Sequence, residues 1–222
     1  MPEPGPNPGA DVPAARSIGR DLALVVLAAL AAFGCDLDSE SAFADESAYF
    51  SQAYFADLWL RGDVHHPAWL EYPAYDLPPL PKYAIGLALK LGGYSSPGPS
   101  AARAWYADIN RRFDPPGALV VARRPSVLFG ALGCAAIYGL GLQARDRRVG
   151  ALAALLLMAN PLERLHARRA MADVPTEALM LASAALALWA WRRPAQPGGR
   201  ARRRGSWRPW LASAAGWRRS PS

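Results

Sequence analysis

The chain has 222 residues, of which 52% are hydrophobic and 19% are charged, and its formal net charge is +7. The mean hydropathy is +0.00, so the apolar residues lie in blocks that polar stretches balance. Two cysteines, Cys35 and Cys134, each lie near or within an apolar run, and they indicate neither a disulfide framework nor a zinc site.

The first residues are rich in proline and glycine and show no hydrophobic periodicity. Such a composition cannot bury enough apolar surface to order itself. We therefore predict that residues 1–17 form a disordered cytoplasmic leader.

Four apolar stretches are predicted to cross a membrane. The strongest runs over residues 125–144 without a charged side chain, which at ~1.5 Å per residue covers a ~30 Å hydrocarbon core. The other uncharged runs are shorter, and each alone would fit a buried helix of a soluble protein. Flanking arginine and tryptophan residues, such as Trp189 and Trp191, favour the membrane. The prediction is an all-α, polytopic membrane protein with spans at about residues 18–35, 125–144, 149–162 and 174–191.

The arginines set the predicted orientation, because positive charge is enriched in cytoplasmic loops. With a cytoplasmic N-terminus, three arginine groups fall on the cytoplasmic side: Arg16 and Arg20, then Arg145, Arg147 and Arg148, then the tail from Arg192. The large loop 36–124, which carries most of the acids, is then extracytoplasmic. This distribution favours membrane topology, and not nucleic-acid binding, as the reason for the positive net charge.

A cleaved signal peptide is an alternative to the first anchor. Ala42, Phe43 and Ala44 resemble a small-x-small cleavage site, and Cys35 ends an apolar run as in a lipoprotein signal. Three further apolar segments favour an uncleaved anchor.

The outer loop is predicted to contain interfacial helices. Residues 45–60 place aromatics at close to helical spacing, and residues 82–91 form an apolar segment too short to span. Residues 101–113 are a candidate for another short helix. Between them, five prolines in residues 61–81 predict a stiff, extended loop. The basic segment 192–222 is predicted to be a disordered tail.

Small residues in the second span are predicted to allow close helix contact. Gly130 with Cys134, and Ala135 with Gly139, recur at a spacing of about four residues.

Four short motifs lie at the ends of the predicted spans and in the loops between them. An acidic pair, Asp45 and Glu46, follows the first span, and residues 76–83 read DLPPLPKY. The sequence RRPS opens the second span at Arg123, and Asn160-Pro161 with HARRAMAD at residues 166–173 follows the third. On these motifs, residues 22–191 resemble the N-terminal part of the GT-C superfamily of membrane glycosyltransferases. The pattern is that of protein O-mannosyltransferases and bacterial lipid A aminoarabinose transferases.

The resemblance implies a sugar transfer from a polyprenyl-phosphate carrier, with Asp45 as the general base and Glu46 as its acidic neighbour. A carboxylate beside a membrane has its basicity raised by desolvation and by a nearby like charge. The structural alternative makes Asp45 the N-cap of the following helix, with Glu46 favoured by the helix dipole.

The resemblance also implies cations at the carrier phosphate, and it places Lys82 and Arg123 there. The alternative for both is ordinary snorkelling to lipid headgroups. In the same pattern His166, Arg168 and Asp173 line the outer cavity, although an ion pair at the interface accounts equally well for the last two.

The evidence for a metal site is weak. His65 and His66, with Asp63 nearby, hint at the divalent cation that some family members use, but they lack further spaced ligands. No metal ligand and no certain cofactor are assigned, and a divalent cation stays possible.

The sequence thus predicts a hexosyl or pentosyl transferase in a membrane, with a bacterial inner membrane as the expected location. Its expected partners are a polyprenyl-phosphate sugar donor, membrane lipids and an unidentified acceptor, without nucleic acid. The chain is expected to be incomplete and inactive alone. The alternative is a non-catalytic scaffold or accessory subunit, and a small transporter is disfavoured because no span interior carries an ionisable residue.

Overall fold

The computed structural model describes residues 12–107 and 117–192, and all regular structure in these ranges is helical. Residues up to Leu188 form one compact unit. The predicted tail beyond Arg192, the predicted leader up to residue 11 and the end of the predicted helix 101–113 lie outside the described ranges. The helices are α1 (Val12–Gly34), α2 (Ala44–Ser51), α3 (Tyr54–Leu60), a 3-10 helix (Pro67–Leu70), α4 (Pro73–Asp76), α5 (Pro79–Leu91), α6 (Pro99–Ala107), α7 (Ala118–Ala144), α8 (Arg147–Ala159), α9 (Pro161–Ala167) and α10 (Asp173–Arg192).

Three of these helices are long and apolar enough to cross a membrane: α1 from Ser17, α7 and α10. The all-α prediction is confirmed for the described ranges, where no strand occurs. α1 begins at Val12, inside the stretch assigned to the leader.

The predicted span 149–162 is divided, and the count of four spans is not confirmed. α8 has 13 residues, about 20 Å at ~1.5 Å per residue, which falls short of a ~30 Å core. It ends at Ala159, and the side-chain oxygen of the next residue, Asn160, accepts from the amide of Leu162 and so caps α9. Pro161 occupies the first helical position of α9, where its missing amide costs no hydrogen bond.

α7 begins seven residues before the predicted start of the second span. It contains Pro125 in its interior, so Arg123 and Arg124 are helical residues and not part of a preceding loop. Both arginines therefore have fixed directions, about 100° apart around the helix axis.

The prediction of an extended loop over residues 61–81 was wrong. Pro67, Pro73 and Pro79 each occupy one of the first two positions of a helix, namely the 3-10 helix, α4 and α5. Proline is tolerated there because the first amides of a helix have no internal partner. The prolines start short helices and do not keep the chain extended.

The core of the membrane part is formed by α1, α7 and α8. Phe33 of α1, Cys134 and Tyr138 of α7, and Ala154 of α8 are all buried in one cluster. α7 and α8 approach closely, since a Cβ added to Gly141 would lie 2.7 Å from the Cα of Gly150. A second cluster joins α2 and α5 to the start of α7.

Polar contacts tie α1 to the later helices at two levels. In the first half of α1, Arg147 Nε donates to Asp21 Oδ2 at 2.7 Å. Beyond the end of α1, Arg168 donates to the carbonyl of Asp36 and forms an ion pair with Glu40 at 3.3 Å. α8 and α9 together therefore run beside α1 from Asp21 to the segment just after its end.

Candidate functional site

The acidic pair lies in the first turn of α2, and its two members have different surroundings. Glu46 is 0% exposed, whereas Asp45 is exposed. The N-cap residue is Phe43, so Asp45 occupies the second helical position and is not the cap. Glu46 makes the capping contact, because its Oε2 accepts from the amide of Phe43 at 3.0 Å.

Glu46 forms a buried, bidentate ion pair with Arg123 of α7. Arg123 Nε and Nη2 donate to the two carboxylate oxygens of Glu46, each at 2.8 Å. The amide of Ala170 adds a further bond to Oε1 at 2.8 Å. One carboxylate thus joins α2, α7 and the segment that follows α9.

All five N–H donors of Arg123 are used within the protein. Besides the two bonds to Glu46, Nη1 donates to the carbonyls of Leu37 and Glu40, and Nη2 donates to that of Ser41. Arg123 is 1% exposed. In this arrangement the guanidinium fixes the chain between α1 and α2 and has no donor left for a phosphate.

Tyr49, one turn after Asp45, is buried, and the negative charges of carboxylates from three helices act on its phenol. The amide of Ala172 donates to its hydroxyl oxygen. Burial of the phenol is the largest cause that raises the pKa of Tyr49 to about 12. Negative charges contribute as well, and they come from Asp173, Asp45 and Asp76. Tyr49 therefore stays protonated at neutral pH, beside side chains that accept protons and hydrogen bonds.

Lys82 is buried and holds the turn that carries Asp76. Its Nζ donates to the carbonyls of Pro73 and Ala74, both at 3.0 Å, and to the side chain of Gln52 at 3.4 Å. The amide of Gln52 in turn donates to Asp76. Burial lowers the pKa of Lys82 to about 8, against the opposing effect of Asp76. The three N–H donors of the ammonium group are matched by three oxygens of the protein.

His166 and Asp173 lie together, and Arg168 lies apart from them. His166 Nδ1 is 3.7 Å from Asp173 Oδ2. Arg168 instead donates to Ser39 Oγ at 3.2 Å and pairs with Glu40, in the segment after α1. Of the residues predicted to line an outer cavity, His166 and Asp173 are therefore brought together and Arg168 is not.

An open groove of about 430 Å³ extends along α10 from Asp173. Its beginning is polar, with Asp173, Thr176 and Glu177, and its far end is apolar, with Met180 and Leu181. This gradient suits a ligand with a polar head and an apolar tail.

Across the described ranges, no three or more histidine, cysteine, aspartate or glutamate side chains lie together as metal ligands would. His66 has another role, because its Nδ1 accepts from the amide of Ala68 and caps the 3-10 helix.

Sequence reasoning did not identify Tyr49 and Asp76 as site residues. Tyr49 was one of several aromatics of an amphipathic helix, and Asp76 was part of a proline-rich motif. Their positions depend on tertiary packing, for which the only signal in the sequence is the spacing of four residues between Asp45 and Tyr49.

Comparison of the chain with protein-family models, curated proteins and solved structures finds no match. The family resemblance therefore rests on the sequence motifs.

Proposed function

We propose that the protein takes part in glycosyl transfer of the GT-C type, moving a sugar from a polyprenyl-phosphate carrier to an acceptor on the extracytoplasmic face. One observation carries the proposal: the negative charges of Asp45, Asp76 and Asp173 all act on Tyr49, and Asp173, at the start of α10, lines a groove that changes from polar to apolar. A lipid-linked sugar has the same two-part chemistry, and carboxylates are the acceptors that sugar hydroxyls bind.

In the proposed step, Asp45 is the general base. The acceptor hydroxyl oxygen attacks the anomeric carbon of the sugar, its proton passes to the Asp45 carboxylate, and the bond from that carbon to the phosphate oxygen breaks. The electron pair of the broken bond stays on the phosphate, and the anomeric configuration inverts. Asp45 suits this role because it is exposed and has no cap contact to break, while the Glu46–Arg123 pair fixes its helix.

The proposal includes a fourth crossing, made by α8 and α9 in series. Its support is a pair of polar contacts: Asp21, within α1, with Arg147 at the start of α8, and Glu40, after α1, with Arg168 after α9. The chain that joins Arg147 to Arg168 thus runs beside α1 from Asp21 to its end. With the arginine distribution, this gives a multi-pass protein of a bacterial inner membrane with a cytoplasmic N-terminus.

A second candidate is a non-catalytic scaffold or accessory subunit. One observation favours it: Lys82 and Arg123, the cations expected at the carrier phosphate, already use all their donors within the protein. In that case the loop 36–124 would contact a partner protein, and the partner would bind the carrier phosphate.

The proposal is tested by depleting the protein in its native host and extracting the membrane lipids. A transferase leaves its donor unconsumed when it is lost, so we expect one polyprenyl-phosphate sugar to accumulate, as measured by mass spectrometry. Expression of the wild-type chain should return the amount of this lipid-linked sugar to its normal level. The variant Asp38→Asn should do the same, because Asp38 is exposed and lies outside the site. An unchanged lipid-linked pool after depletion would contradict any role in this transfer.

A further inference from the structure

A second groove, about 490 Å³ in volume, lies between α5 and α7 and shares no residue with the candidate site. Its walls include Ala84 and Leu87 on α5, and Leu128 and Leu132 on α7. The groove is open to the side, since Leu91 and Leu128 are 80% and 62% exposed. An exposed apolar groove of this size indicates a ligand or a membrane contact.

The depth of this groove follows from α7. Leu128 and Leu132 belong to the uncharged run 125–144, which the composition places in hydrocarbon, and Arg124 lies just before that run. Along a helix, residues 124 to 132 extend over about 12 Å at ~1.5 Å per residue. The groove therefore descends from the membrane surface into the hydrocarbon region.

Arg124 is the one charged residue that lines the groove. It is exposed, and no hydrogen bond or ion pair joins it to another residue of ranges 12–107 and 117–192. Its neighbour Arg123 is buried and bound to Glu46. Consecutive arginines thus have separate roles, and only Arg124 offers a guanidinium fork at the upper end of an apolar groove.

We propose that the groove between α5 and α7 binds one anionic phospholipid, with an acyl chain along Leu128 and Leu132 and its phosphate at Arg124. Guanidinium binds phosphate bidentately, and basic positions beside membrane helices select anionic headgroups. Asp45, Asp76 and Asp173 line no part of this groove, so the bound lipid is a structural partner and not the sugar donor. The inference is independent of the proposed transfer activity.

The test uses the purified protein in mixed micelles with equal amounts of phosphatidylglycerol and phosphatidylcholine, and native mass spectrometry counts the retained lipids. We expect wild type to retain one phosphatidylglycerol with a preference of about fivefold or more, the effect of ~1 kcal/mol. Arg124→Gln should abolish the preference. Ala84→Phe and Leu128→Trp, which fill the groove from opposite walls, should each remove the retained lipid, so a folding failure of one leaves the other informative.

Matched controls are Arg148→Gln, an exposed arginine on α8, and Leu152→Phe, a leucine of α8 that is 57% exposed. Both should retain phosphatidylglycerol as wild type does, and added inorganic phosphate should not displace it. Unchanged retention in Arg124→Gln, or in both groove-filling variants, would overturn the proposal. Displacement by an equimolar polyprenyl phosphate would also overturn it and would assign the groove to the donor.

Discussion

The Glu46–Arg123 pair determines how the outer segment is held against the membrane helices. A charge that is 0% exposed is costly to bury, and here it is compensated by a bidentate partner and two backbone amides. Arg123 in turn satisfies three carbonyls of the segment between α1 and α2. The pair therefore acts as a positioning unit that fixes the helix start on which Asp45 lies.

Removing the arginine should destabilise the protein strongly. Arg123→Met leaves the Glu46 carboxylate buried without its counter-charge, so we expect the free energy of unfolding to fall by about 3–5 kcal/mol. A mixed-micelle titration with a denaturing detergent measures this change. Arg148→Met, at an exposed position, should stay within ~0.5 kcal/mol of wild type. Equal stability of the two variants would show that the pair does not hold the fold.

The sequence identified Glu46 and Arg123 as important residues but not as partners. They lie 77 positions apart, and their contact depends on the packing of α2 beside α7, which no local pattern encodes. Lys82 is a similar case, because its oxygen partners belong to a turn that proline rules described as extended. The sequence therefore predicted charged residues at the membrane boundary, but it did not predict which groups pair with them.

At the scale of helices, the positions of glycines determine which pairs of helices approach each other closely. The predicted contact at Gly130 is confirmed, since a Cβ there would lie 2.9 Å from Phe33. Gly139 meets nothing within 4 Å, whereas Gly141 lies against Gly150 of α8. Both glycines are part of one helix, so the difference arises from the direction of the neighbouring helix and not from residue type.

This difference gives a matched pair of substitutions. Gly141→Ala forces α7 and α8 apart and should cost about 1–3 kcal/mol of stability. Gly139→Ala adds a methyl group to open space and should be neutral or stabilising by up to ~1 kcal/mol, because alanine favours the helix. Thermal unfolding in detergent compares the two variants. A larger loss in Gly139→Ala would contradict the observed packing of α7 on α8.

At the same scale, the spacing of prolines predicted the helix positions least well. A proline disrupts a helix interior but is well accommodated in the first turn, and a single sequence does not tell these positions apart. The same residue type therefore begins the 3-10 helix, α4 and α5, and also lies inside α7 at Pro125.

For the whole molecule, the orientation in the membrane determines which surface meets substrate. In the proposed orientation, with α8 and α9 together as one crossing, Gly93 and Met171 would be extracytoplasmic. Alkaline phosphatase fused after either position should then be active. A fusion after Arg147 should be inactive. Equal activity after Arg147 and Met171 would place both ends of α8 and α9 on one side and reduce the crossings to three.

The acidic site is the feature on which the functional account depends. Its three carboxylates come from α2, α4 and α10, so the proposed transferase site uses residues of all three helices. A general base and a structural acid respond differently to a change that keeps size and removes basicity.

The most direct measurement compares Asp45→Asn with wild type in the native host, by the accumulation of polyprenyl-phosphate sugar and the rate of its transfer in isolated membranes. If Asp45 is the base, transfer should fall by a factor of about 10² or more and the donor should accumulate, while protein level and membrane insertion stay unchanged. Asp38→Asn should behave as wild type. Transfer at the wild-type rate in Asp45→Asn, at saturating donor, would contradict the catalytic role and favour the scaffold function.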